Sequence, residues 1–253
     1  METPHVVSYK PTKIMKTHRI IKNLVALALL STFNLLPSAL LGQGSLTPPG
    51  LPAPTMKTAD QIYSKLDPRT PISTVSFIIT NSGSYYLTGN LTTTFPLEAG
   101  IIIKTNGVTL DLNGFTITST AASAPDCAII LSGSLSDITI FNGHICSGVT
   151  NNGSGVYSGT GFGYGIYGAF VTNVLICKVS VTGVLSQGIC VYGNGTLVED
   201  CMVNMIGNDG ISAQSVYNST ALNCGRYAIN AITANGCYTA NGTSIITYKY
   251  NMP

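Results

Sequence analysis

Tryptophan is absent from this chain and charge is scarce, with 12 Lys and Arg against 10 Asp and Glu in 253 residues. So few ionisable side chains exclude a protein built on amphipathic helices with charged outer faces. They also leave no basic patch or aromatic-basic interleaving to hold nucleic acid. Histidine is nearly missing as well. His5 and His18 lie ahead of the first apolar run, and His144 stands alone after the turn-forming Asn142-Gly143. With no His or Cys pairing at ligand spacing, neither a metal nor another cofactor is expected.

What fills the chain instead is 27 Gly together with recurring Asn, Ser and Thr. Gly and Asn accept positive φ at turns, and Val, Ile and Thr suit a pleated strand. Stacked strands joined by tight turns are therefore favoured, and the length suits one domain with a real core. The seven cysteines are an odd number, so at least one stays unpaired. They read best as buried free thiols that pack like small apolar residues.

Five of the cations (Lys10, Lys13, Lys16, Arg19 and Lys22) crowd the first 22 positions. Beyond Gln43, 7 cations face 9 anions, a balance of 7 − 9 = −2. The basic start leads into an apolar run, Asn23 to Gly42, that contains Pro37 and ends in small residues, the order of a secretory signal. Residues 1–42 are expected to be that signal, which implies a secreted, periplasmic or cell-surface protein. The alternative is an uncleaved N-terminal membrane anchor, the one route to membrane contact. Residues 43–71 read as a Pro-rich linker with a short helix near Thr58 to Leu66, and residues 72–253 as the folded domain.

A small residue followed by Ile recurs through that domain. Ile101, Ile129, Ile166, Ile189, Ile211 and Ile229 stand at steps of 28, 37, 23, 22 and 18. Steps near 20 with insertions mark a solenoid, whose coils bury their apolar sides against one another. A second alternating stretch follows each opening: Val108-Thr-Leu-Asp-Leu, Ile138-Thr-Ile, the strand from Val174, Val198-Glu-Asp-Cys-Met-Val, and the strand from Val216. Aligning these stretches predicts an interior column Cys177, Cys201, Ser219 and Cys237. The step of 37 holds a Gly-rich loop between Val149 and Gly165, the expected place for an insertion on a binding face. Together these features predict an all-β, right-handed parallel β-helix of about six or more coils.

The coil VEDCMVNMIGNDGI (Val198 to Ile211), with GSYYLTGNL (Gly83 to Leu91) and GVTLDLNGFTI (Gly107 to Ile117), resembles the secreted bacterial right-handed β-helix proteins of the pectate-lyase-like superfamily. The resemblance runs from about Ile72 to the C-terminus and implies polysaccharide as the ligand class. Hydrolases of that group carry N-T-D, D-D, G-H-G and R-I-K motifs. Here Asn208-Asp209-Gly210 and Gly143-His144 are fragments of the first and third, and no Asp-Asp pair occurs. Ordinary glycoside hydrolysis needs two carboxylates, and calcium-dependent lyases need an acidic cluster. Glu199-Asp200 is the single adjacent acidic pair, and the expected neighbours Leu175, Ile176, Tyr217 and Asn218 add no carboxylate.

The expectation is thus an exported, non-catalytic binding or structural module directed at polysaccharide or a cell-surface glycan. The alternative is a lyase or hydrolase with an atypical site drawn from Asp209, Arg226, Glu199, Asp200 and Lys178. One further column stands just before the small-Ile openings: Tyr164, Gln187, Asp209 and Tyr227. Expected to face outward at a turn, its tyrosines would stack on sugar rings while the amide and carboxylate meet hydroxyls.

Overall fold

A computed structural model describes residues 57–59, 61–62, 67–95, 99–122 and 126–252. The chain divides into two units, Met1–Ala59 and Asp60–Pro253, and every strand belongs to the second. The export segment expected at 1–42 and most of the Pro-rich stretch lie outside the described residues. Of the helix expected near Thr58 to Leu66, Ala59, Gln61 and Ile62 are helical. Among the described residues no helix is long and apolar enough to cross a membrane.

The chain enters the stack at β1 (Thr70–Ile72) and makes one coil with β2 (Phe77–Ile79), β3 (Gly83–Leu87) and β4 (Leu91–Thr93). The second coil is β5 (Ile101–Ile103), β6 (Val108–Asp111) and β7 (Thr116–Ser119). The third is β8 (Cys127–Leu131) and the long β9 (Ser136–Cys146), which turns a corner without breaking. A hairpin of β10 (Thr150–Asn151) and β11 (Tyr157–Ser158) precedes the fourth coil, β12 (Tyr164–Gly168) and β13 (Thr172–Val184). Then come β14 (Gln187–Val191), β15 (Leu197–Glu199) and β16 (Met202–Ile206); β17 (Ile211–Tyr217) and β18 (Thr220–Cys224); and β19 (Tyr227–Asn235) and β20 (Tyr238–Ala240). The last strand is β21 (Thr243–Tyr250).

Apart from the hairpin, all of these strands join one 19-stranded parallel network. Each strand pairs with its counterpart one coil away, so the chain is a right-handed parallel β-helix. It has three faces. Face I carries the small-Ile openings, face II starts at β3, β6 and the first half of β9, and face III holds β4, β7, β16, β18 and β20.

The openings are true register partners: Ile101, Ile129, Ile166, Ile189, Ile211 and Ile229 pair in succession, and each is fully buried. Burying an Ile contributes about 1.5–3 kcal/mol, and stacking repeats that gain on every coil. The preceding residue is small because the next coil passes across it. A Cβ added to Gly165 would run into the carbonyl oxygen of Gly188.

The three corners differ. At the bend from face II to face III one residue turns the chain: Asn142, Lys178, Asp200, Asn218, Gly236 and Asn251 all have φ between 46° and 66°. Two positions after β15, β17 and β19 end, a small polar side chain bridges the bend. Cys201 Sγ donates to the Glu199 carbonyl (3.2 Å), Ser219 Oγ to that of Tyr217 (2.8 Å), and Cys237 Sγ to that of Asn235 (3.5 Å). Cys177 does not belong to this column, contrary to expectation. It pairs with Phe141 and Glu199 and is half-buried, and the residues before Cys201 in the column are Gly143 and Val179. The slip is two residues, which preserves the alternation of inward and outward side chains and so is invisible to periodicity. All seven cysteines are free; five are buried and Cys146 is exposed.

The corner from face III to face I absorbs the insertion. The β10–β11 hairpin leans along this corner over two later coils, and Tyr157 donates its hydroxyl to the Asn223 carbonyl at 2.8 Å. At the N-terminal end, Arg69 forks onto Asp67 (2.8 Å) and the buried Asp111 (2.9 Å) and lies over the Tyr86 ring. At the other end, the fully buried column Ile176, Val198, Val216 and Ala234 terminates in the exposed Lys249.

Candidate functional site on face I

The residues Tyr164, Gln187, Asp209 and Tyr227 do form one column. Tyr164 pairs with Gln187, and the register that joins Ile189 to Ile211 and Ile211 to Ile229 sets Asp209 between Gln187 and Tyr227. The column lies where each coil leaves the III-to-I corner. Backbone bonds climb it from coil to coil, with Ser186 N donating to Gly163 O, Asn208 N to Ser186 O, Arg226 N to Asn208 O and Thr243 N to Arg226 O. Three members, Tyr164, Gln187 and Tyr227, are half-buried with a face to solvent.

Asp209 is the exception, and the expectation that it faces outward is wrong. Its side chain is 0% exposed and is held by Arg226, Nε to Oδ1 at 2.8 Å and Nη2 to Oδ2 at 2.6 Å. Gln187 Nε2 donates to Oδ2 at 3.1 Å, and the Tyr227 backbone N–H donates to Oδ1 at 3.3 Å. A buried carboxylate needs this compensation, and Arg supplies it in a planar fork. The carboxylate in turn raises the pKa of Arg226, chiefly through the hydrogen bond. With both oxygens occupied, Asp209 has no free acceptor for a substrate proton. Its work is to hold Arg226 flat over the Tyr227 ring, 4.5 Å from the centroid.

Two tyrosines absent from the sequence reading complete the surface. Tyr167 lies beside Tyr164, ring centroids 4.9 Å apart at 53°, and burial raises the pKa of its phenol. Tyr192 is 41% exposed at the far end of β14. No repeat announced either: the position after the opening Ile holds Cys190, Ser212 and Asn230 in the coils after Tyr167, and the third position holds Ala169, Gln214 and Ile232 around Tyr192. Past Tyr192, at the corner from face I to face II, a cleft of about 320 Å³ opens among Tyr192, Asn194, Gln214, Asn230, Ile232 and Thr247.

The other candidate catalytic residues stand elsewhere. Lys178 and Asp200 occupy the left-handed position of the II-to-III bend, and Glu199 pairs with Cys177 and Tyr217 on face II. The neighbours expected for Glu199 and Asp200 on the preceding coil, Leu175 and Ile176, instead pair with Leu197 and Val198; Tyr217 is placed as expected. His144 is exposed on face III between Thr116 and Ser180. Among the described residues no group of three His, Cys, Asp or Glu could hold a metal ion. Cys127, Cys190, Cys201 and Cys224 are pushed up to about 12 by burial, so at neutral pH they are thiols and poor nucleophiles.

The class of protein these features define is a parallel β-helix with an aromatic, amide-bearing outer face. No protein-family model, curated protein or solved structure matches the chain.

Proposed function

We propose that this chain is an exported, non-catalytic β-helix of the pectate-lyase-like superfamily that binds carbohydrate through face I, as a secreted, periplasmic or cell-surface module. The observation that carries the reading is the column itself: Tyr164, Gln187 and Tyr227 present rings and an amide coil after coil, with Tyr167 beside them and Arg226 laid on Tyr227. Rings that offer flat apolar faces, with polar groups set between them, suit sugars, which are apolar on their C–H faces and hydroxylated at their rims. The non-catalytic half of the reading draws support from the saturated Asp209 and from the separation of Glu199 onto face II and of Asp200 and Lys178 onto the II-to-III bend. A hydrolase or lyase needs its acid and base on one groove.

The test is a screen of the full chain against acidic and neutral polysaccharides, with and without calcium, following retention and unsaturated-product absorbance together. Retention without product, lost in Tyr164→Ala or Tyr227→Ala, is the expected result. Product formation sinks the non-catalytic reading, and retention by neither class sinks the carbohydrate one.

A further inference from the structure

We infer that the cleft at the corner from face I to face II is a separate saccharide subsite, and that it takes an uncharged sugar unit. The inference rests on the carbohydrate reading for the class of ligand, but not on the column from Tyr164 to Tyr227. None of the residues lining the cleft is ionised at neutral pH, and its volume of about 320 Å³ falls at the lower end of small-ligand pockets. An anionic sugar would need a cation there and a bound metal would need carboxylates, so the lining favours neutral hydroxyl groups.

The polar groups are of the right kind. Asn194 and Asn230 make no side-chain hydrogen bond among the described residues, so each offers a carbonyl and an NH2 group to the cleft. Gln214 accepts the Gly195 N–H through Oε1, which leaves its NH2 to donate. Thr247 adds a hydroxyl that both donates and accepts. Tyr192 and Ile232, 41% and 50% exposed, supply apolar surface between these groups.

A second, independent observation stands at the rim. Phe170 is 79% exposed and has φ of 60°, a conformation that bulky side chains rarely adopt. Val171 N donates to Tyr192 O and Gly193 passes against Val171, so Phe170, the residue before Val171, sits in the turn beside Tyr192. Packing does not explain an aromatic ring held in solvent on a strained backbone, and glycine would relieve the strain. A ring kept there serves as a platform one coil above Tyr192, so that a saccharide chain lying along the corner stacks on Phe170 and Tyr192 and lowers one unit among the amides.

With no Trp among the residues, tyrosine is the intrinsic fluorophore, and since Tyr192 is the one of 13 tyrosines that lines the cleft, comparison with Tyr192→Ala assigns the signal. The experiment titrates the full chain with cellohexaose, mannohexaose, xylohexaose and hexagalacturonate, by fluorescence and by calorimetry. At least one neutral hexasaccharide is expected to bind more tightly than hexagalacturonate. Tyr192→Ala and Phe170→Gly should each weaken it about tenfold, as loss of a stacked ring does. Asn230→Asp, nearly the same shape with a charge, should also weaken it. Phe170→Gly should raise Tm while it lowers affinity, which separates lost contact from lost fold. If hexagalacturonate binds best, or if all three variants bind like the parent, the inference falls. If Tyr227→Ala abolishes binding while the three cleft variants do not affect it, the inference falls and the face I column stands. Failure of every hexasaccharide to bind removes both.

Discussion

The corner from face II to face III and the corner from face III to face I belong to the same coils and treat the sequence in opposite ways. From the third coil on, the first uses one left-handed residue per coil, and that position accepts Asn, Lys, Asp and Gly. The second ranges from a two-residue turn, Leu185-Ser186, to the insertion carrying the β10–β11 hairpin, and it delivers Asp209, Arg226 and the tyrosines. Backbone geometry fixes one corner, so its side chains are free to be unremarkable; the other is loose in length, so chemistry collects there.

That contrast breaks first where the variable corner touches the next coil. Gly165→Val puts a Cβ against the Gly188 carbonyl and the Val181 side chain. It is expected to cost about 3 kcal/mol or more, since backbone must move, and to abolish cooperative melting in a thermal scan followed by circular dichroism. A fully stable variant would mean that the coils do not approach as closely as they do here.

The next largest effect lies at the fixed corner. Asn218 has φ of 47°, and Asn218→Val should lose about 1–2 kcal/mol in urea unfolding, whereas Asn218→Gly should stay near the parent. Equal losses for the two would show that the Asn side chain, not the backbone, makes the turn. Third, Tyr157→Phe removes the hydroxyl that ties the hairpin to Asn223 and should cost about 1 kcal/mol. No loss would make the hairpin a passenger on its corner.

The smallest effect at neutral pH concerns the thiols. Cys146 alone is exposed and should be alkylated quickly in the native protein, with the buried five labelled on unfolding; simultaneous labelling of all seven would contradict the stack. Burial raises Cys127, Cys190, Cys201 and Cys224 from 9.0 to about 12. Between those values the unfolded chain has released protons that the native chain still holds. Stability is therefore unaffected below about pH 9 and declines as pH rises toward 12. A flat stability profile across that window would show that these thiols are not buried.

Much of this was legible in the sequence. The small-Ile openings named the face I ladder because Ile and Gly answer to one position each, an inward pocket and a close approach. The column of Tyr164, Gln187, Asp209 and Tyr227 followed from that ladder by counting back two residues. The interior thiol column was misplaced at Cys177 because a strand repeats every two residues, and a slip of two satisfies the same pattern. Asp209 was misjudged for another reason. Whether a carboxylate at a turn faces water depends on a partner 17 residues later, Arg226, and no local pattern announces such a fork. Phe170 escaped notice because strain is a property of the backbone angle, which the letter for phenylalanine does not carry.

Each coil of a solenoid is a template for another, so nothing in the repeat itself says how far growth should run. Lys249 sets the outermost described coil apart from the others. It takes the position that Ile176, Val198, Val216 and Ala234 hold in earlier coils, and where they present hydrocarbon it presents an ammonium group. A strand laid on β21 by a neighbouring molecule would have to seal that cation inside the core, which is a reason for such a strand not to stay. One side chain thus acts as punctuation, turning a surface made for propagation into one that refuses it.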